Sequence, residues 1–386
     1  MASWFSASAV VPALTSEWHL SPTAAAWLTV SVQLGFAAGA LVSAVLTLAD
    51  RWSARRLIAA SAACAALATA GVALAPNAGA VVALRVLSGA ALAGVYPPGM
   101  KIVAGWFREG RGLAIGILVG ALTLGSALPQ LVRWAVPGDQ WRLVVGIAAL
   151  SALAGGLLVL RVPHDGPFAA PSPPFRWSAA PRLLRDRGVL LANLGYLGHM
   201  WELYAAWTWM ALFVAASQRV RHNHGPDTVA AVAALVTFGF VGSGAIGCWL
   251  GGRYADRWGR TAVTSGAMVV SGLCCLTVGL LFGASLAALV PLLVVWGVAI
   301  VADSAQFSTA VSELAPTPYV GTALTLQTSL GFLLTCATIW LIPWIAGAIG
   351  WRWSMTVLAL GPAVGVTAML ALRARPEAIR LAGGRR

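Results

Sequence analysis

The chain has 386 residues, 59% of them hydrophobic and 10% charged, against about 25% charged residues in an average soluble domain, so one large water-soluble core is excluded. A net charge of +13 would point to nucleic acid in a soluble protein, but here the basic residues stand in the breaks between apolar runs, and no nucleic-acid partner follows. Cys64, Cys248, Cys274, Cys275 and Cys336 lie inside those runs without a CxxC pair, and they read as small apolar helix residues that imply no metal or cofactor.

About 20 apolar residues carry a helix across the hydrocarbon. Runs such as "AIGILVGALTLGSALPQLV" do not alternate as barrel strands do. In chain order the sequence predicts twelve membrane helices, over 2–14, 24–48, 57–76, 79–103, 112–136, 141–161, 189–214, 228–250, 261–283, 286–311, 320–347 and 351–374. The fold class is therefore all-α integral membrane, with two six-helix bundles over 1–161 and 189–386. The Pro- and Arg-rich segment 162–188 between them is expected to be a mobile linker and not a folded domain. "MASWFSASAVVPAL" has no basic leader, so a cleavable signal peptide is not expected.

Cytoplasmic loops retain Lys and Arg. Nineteen of the 25 basic residues fall on the side of the 2–3, 4–5, 6–7 and 8–9 loops and the C-terminal tail. Five (Arg133, Arg142, Arg219, Arg221 and Arg352) fall on the other side, and Arg85 lies within helix 4. This asymmetry puts the linker and C-terminus in the cytoplasm of a bacterial inner membrane.

An internal repeat supports the two-bundle reading. "LADRWSARRLI" and "YADRWGRTAVT" share an A-D-R-W core after the second helix of each half, and Asp50 and Asp256 stand 206 residues apart. At that offset helix 8 overlies helix 2, whereas the partner of helix 7 begins before Met1. The first helix is therefore expected to be truncated at its N-terminus. Repeats, basic loops and a cytoplasmic linker are the build of a two-bundle transporter.

"GGRYADRWGRTAV" resembles the signature loop of the major facilitator superfamily, G-x-x-x-D-R-x-G-R-[RK], through Gly252, Asp256, Arg257, Gly259 and Arg260. The first copy is degraded, with Leu46 and Ser53 at glycine positions and Ala54 at an arginine, yet Asp50, Arg51, Arg55 and Arg56 remain. "RVLSGAALAG" resembles the family's R-x-x-x-G pattern through Arg85 and Gly89. The resemblance implies that the loop charges latch the two bundles on the cytoplasmic side, with Asp50, Arg51, Arg55, Asp256, Arg257, Gly259 and Arg260 as the latch. It also implies proton coupling or anion contact for Arg85.

Ionisable residues inside spans are costly and suggest function. On helix 7, His199, Glu202, Trp209 and, more loosely, Tyr196 fall near one face. A His and a Glu one turn apart can share a proton, and His titrates near neutral pH. On helix 10, Asp303 and Gln306 share a face. Asp303 maps by the repeat onto Pro97 in "GVYPPG", so both helices are expected to be interrupted at equivalent depth, with Tyr96 the neighbouring first-half candidate. Depth leaves Asp303 either a near-cytoplasmic gate or a buried binding residue. Gln327 on helix 11 is a hydrogen-bonding cavity candidate.

No Walker loop appears, and no metal or nucleophile constellation points to an enzyme. The reading is a monomeric secondary active transporter, with no cofactor, that moves a small organic metabolite or anion by alternating access. Proton-coupled uptake is the expected mode. An exporter on the same fold and a non-transporting membrane sensor remain as alternatives.

Overall fold

A computed structural model describes residues 1–107, 111–136, 140–168, 175–221 and 225–385. The first half contains α1 (Ala2–Trp18), α2 (Pro22–Val45), the single turn α3 (Leu48–Arg51), α4 (Ala54–Val72), α5 (Ala78–Leu92), α6 (Tyr96–Trp106), α7 (Arg111–Ala135) and α8 (Trp141–Val159). After the linker turn α9 (Ala180–Arg185) come α10 (Arg187–Arg221), α11 (Pro226–Trp258), α12 (Arg260–Thr277), α13 (Leu286–Ala302), α14 (Ser304–Leu314), α15 (Val320–Ile349), α16 (Trp351–Ser354) and α17 (Leu360–Arg373). The pairs α5–α6, α13–α14 and α16–α17 are single crossings broken partway, which leaves twelve crossings in two sets of six. Ten helices among the described residues are long and apolar enough to span a membrane by length and composition. α1, at 17 residues, is about half as long as its counterpart α10, at 35.

The two interruptions expected from the repeat are present. In the first half the chain leaves the helix over residues 93–95, just before Pro97 and Pro98 enter the first turn of α6. Proline suits the first turn of a helix, where its missing N–H costs no hydrogen bond. In the second half the break is a single residue, Asp303, between α13 and α14.

Close helix crossings hold each bundle together. A side-chain carbon at Gly89 would overlap the Val32 carbonyl, which lets α5 press on α2. One at Gly251 would overlap the Ala302 carbonyl, which does the same for α11 and α13. Small residues permit this approach where lipid removes the hydrophobic drive between helices. The most extensive contacts between the bundles are those of α2 with α15 and of α7 with α11. At one end of the molecule Glu17 ties α1 to α8, accepting from Trp141 Nε1 at 2.6 Å and from Arg142 Nη2 at 3.0 Å.

Both described ends of the linker dock on the bundles. Its start docks under the first bundle, where Asp165 accepts from Ala54 N at 3.0 Å and Phe168 N donates to the Gly105 carbonyl at 2.9 Å. Its end forms a 3-10 turn and α9, with Ala179 and Leu183 buried, and Arg176 N donates to Thr322 Oγ1 at 2.9 Å on α15. Backbone groups that find such partners have no reason to stay solvated.

Candidate functional site

The two bundles enclose a cavity of about 60 Å³. Trp4, Phe36, Tyr96 and Thr123 line it from the first bundle, and Tyr196, Tyr204, Trp207 and Phe332 line it from the second. The aromatic rings mesh across the bundle boundary: Trp4 lies 4.9 Å from Phe36, 5.7 Å from Tyr204 and 5.3 Å from Phe332, and Phe36 lies 4.5 Å from Phe332. Among the described residues no carboxylate, imidazole, lysine or arginine side chain reaches the wall. The indole N–H groups of Trp4 and Trp207 are buried without a hydrogen-bond partner.

The charged candidates stand one side chain behind this wall. His199 Nδ1 approaches Asp303 Oδ1 at 2.9 Å, with both side chains almost wholly buried. The approach is an ion-pair contact out of line for an N–H···O bond, and Asp303 Oδ1 and His199 Nε2 make no hydrogen bond. The pair joins α10 to the break between α13 and α14. Its chain neighbours Met200, Val301 and Ser304 are on the cavity wall.

Glu202 lies one turn along α10 and is answered by neutral donors. Trp296 Nε1 donates to Oε1 at 2.6 Å, the Cys275 thiol donates to Oε1 at 3.2 Å, and the Ser271 hydroxyl donates to Oε2 at 3.0 Å. These donors come from α12 and α13, so the carboxylate is held within the second bundle and away from the cavity. Sequence reasoning missed Ser271, Cys275 and Trp296, because small polar residues and a tryptophan in apolar runs look like packing.

Arg85 does not reach the cavity either. Its Nε donates to the Leu28 carbonyl at 3.2 Å, and its two terminal nitrogens donate to the Ser3 and Trp4 carbonyls and, at 3.4 Å, to Ser6 Oγ. These four bonds all run to neutral oxygens. The side chain tethers α1 and α2 to α5, which leaves it no fork to offer an anion.

Trp209 is also placed away from the cavity. Its Nε1 donates to the Ile339 carbonyl at 2.8 Å on α15. The cavity face of α10 runs instead through Tyr196, Met200, Leu203, Tyr204 and Trp207. Tyr96 does line the cavity. Gln327 is buried beside the lining residue Thr328, with neither amide atom hydrogen-bonded.

Among the described residues, Arg260 of the signature loop makes its contacts within the second bundle. Arg260 grips Glu313 with two bonds, Nε to Oε2 at 2.8 Å and Nη2 to Oε1 at 2.6 Å, and its Nη1 donates to Gln306 Oε1 at 2.8 Å. Asp256, four residues away, is 3.8 Å from Arg260 and half exposed. Gln306 therefore belongs to this cluster and not to the cavity, because the bidentate fork of Arg260 reaches α14. These partners of Arg260 lie in the second bundle. Gly259 has φ 89° and ψ 151°, a conformation open to glycine. Arg257 is exposed. In the first copy Arg55 donates to the Val162 carbonyl at 2.8 Å and Arg51 is exposed. The side chain of Asp50 lies outside the described residues.

The chain matches the model of the Major Facilitator Superfamily over residues 1–339. It is 29% identical over 161 residues to the niacin transporter NiaP of Acinetobacter baylyi, an alignment covering 41% of this chain and 36% of that protein. It is 28% identical over 184 residues to the MFS-type transporter pytF of Aspergillus terreus, covering 47% and 58%. The alignments thus span between about a third and three-fifths of these relatives' lengths. Among solved structures, a bacterial homologue of the human lysosomal transporter Spinster, inward-facing and occupied, superposes with TM-score 0.71 at 15% identity, covering 96% of this chain and 94% of that one. The D-xylose-proton symporter superposes with TM-score 0.70 at 16% identity, covering 98% and 96%. At such identity these structures speak for the fold.

Proposed function

The chain belongs to the major facilitator superfamily, and on that premise we propose that it is a proton-coupled uptake transporter for a small organic solute, with His199 and Asp303 as its coupling pair. It is a transporter and not an enzyme. The observation that carries the coupling is the 2.9 Å approach of His199 to Asp303, buried at the break between α13 and α14.

The pair holds one exchangeable proton at no net charge, either as imidazolium with carboxylate or as imidazole with carboxylic acid. Losing that proton leaves a bare carboxylate, and adding another leaves a bare imidazolium. Either charge is expensive in a low-dielectric interior. A change of protonation therefore alters how tightly α10 holds the hinge of α14, and residues beside both partners form the cavity wall. Occupation of the cavity and occupation of the proton site are linked through this hinge.

Arg260, Glu313 and Gln306 would act as an internal brace that makes α14 move with α11 and α12. It would work beside a charge latch from Asp256 to the first bundle. The excess of basic residues in one set of loops supports a cytoplasmic linker and C-terminus in a bacterial inner membrane, and a monomer is the proposed working unit. The names of the niacin transporter and the D-xylose-proton symporter are compatible with small-solute uptake by this chain.

The test is solute-driven proton movement. In proteoliposomes loaded with a pH-sensitive dye, adding members of a metabolite panel outside should acidify the lumen for the transported solute. A solute that exchanges across the membrane without moving protons would overturn the coupling.

A further inference from the structure

Resting on the transporter reading above, we propose that the cavity takes a planar aromatic solute bearing a hydrogen-bond acceptor, held between the aromatic walls and bonded by the indole N–H groups of Trp4 and Trp207. Two independent features of the cavity lead there. The first is hydrogen bonding: both indoles are 2% exposed, both rings line the cavity, and both N–H groups lack a partner. A buried donor left unpaired is unfavourable, and one sits on each bundle. An acceptor in the cavity would satisfy both and bridge the halves.

The second feature is shape. At about 60 Å³ the cavity is smaller than the roughly 150 Å³ that admits benzene in an engineered apolar site. The bundles must part for any organic solute to enter. The facing walls are rings, with Trp4, Phe36 and Tyr96 opposite Tyr204, Trp207 and Phe332. A flat ring requires the least separation of such walls and gains offset or edge contacts with them. The chemistry of the wall also argues against a multiply charged solute. Among the described residues no charged side chain lines it, so a phosphate or a dicarboxylate would find no ion-pairing side chain there.

Calorimetry on the full chain in lipid nanodiscs, with no gradient, tests this. The probes are benzamide and benzoate, their saturated counterparts cyclohexanecarboxamide and cyclohexanecarboxylate, and D-xylose. At least one aromatic probe should bind more tightly than its saturated counterpart and more tightly than xylose. Trp207→Phe, which keeps the ring and removes the donor, should weaken that probe about fivefold, the effect of one neutral hydrogen bond, and Trp4→Phe should act alike. Neither substitution removes a hydrogen bond present in the structure, so folding should be unaffected. Equal binding of the saturated ring, preference for xylose, failure of both aromatic probes at millimolar concentration, or unchanged affinity in both variants would overturn the proposal. Aromatic binding without solute-driven proton movement would support the ligand class while refuting the coupled-transport reading.

Discussion

Arg85 in the first bundle and Asp303 in the second are both sealed from water, and their surroundings answer them in opposite ways. Main-chain carbonyls of α1 and α2 and a serine hydroxyl surround Arg85. Those groups do not titrate, and through them the arginine works as a fixed tether. Asp303 faces His199, the side chain whose charge changes most readily near neutral pH. Buried ionisable side chains among the described residues divide the same way: Arg85 alone in the first bundle, and His199, Glu202, Asp303 and Arg260 in the second. One bundle is built as a scaffold, and the other carries the groups that can change state.

The paired loops repeat the contrast. In the second copy Arg260 spans from α12 to Glu313 and Gln306 on α14. In the first copy Ala54 stands at the equivalent place, and the linker supplies the partners instead, with Asp165 on Ala54 N and the Val162 carbonyl on Arg55.

If that contrast is real, Arg260→Ala should have the largest effect on stability, because it strands a carboxylate and an amide. The expected loss is about 3 kcal/mol, the low end for breaking a buried ion pair, since Glu313 is a quarter exposed. Thermal unfolding in detergent would measure it, and Arg55→Ala should lose only about 1 kcal/mol, one hydrogen bond. Equal losses would erase the asymmetry. Arg85→Met should cost about 2 kcal/mol through its unpaired carbonyl partners, yet leave the pH profile of transport unchanged. A shifted profile would make Arg85 part of the coupling machinery. The smallest effect belongs to the loop backbone. Gly259→Ala should cost about 1 kcal/mol because its φ is positive. Ser53→Gly should change stability by no more than that, since φ there is −61°.

Much of the fold was legible because bilayer thickness dictates the length of an apolar run. The predicted span 320–347 and the observed α15 share a start, and the predicted 351–374 covers α16 and α17. Both helix breaks could be read, one from Pro97 and Pro98 and one from the polar residues around Asp303. The cavity face of α10 was not legible. That helix packs against α11, α14, α15 and α17 and is buried nearly all round, so periodicity had no exposed face to contrast with. Trp209 was chosen where Trp207 lines the cavity. The grip of Arg260 on Glu313 was hidden for another reason: its partners are 53 residues apart in sequence and meet only once α12 and α14 pack.

The central claim is that Asp303 carries the coupling proton, and Asp303→Asn tests it most directly. For a solute that wild-type protein accumulates in proteoliposomes under an inward proton gradient, the variant should lose gradient-driven accumulation and its dependence on pH. It should still exchange labelled for unlabelled solute with no gradient. Accumulation that persists in Asp303→Asn with its pH profile intact would contradict the account.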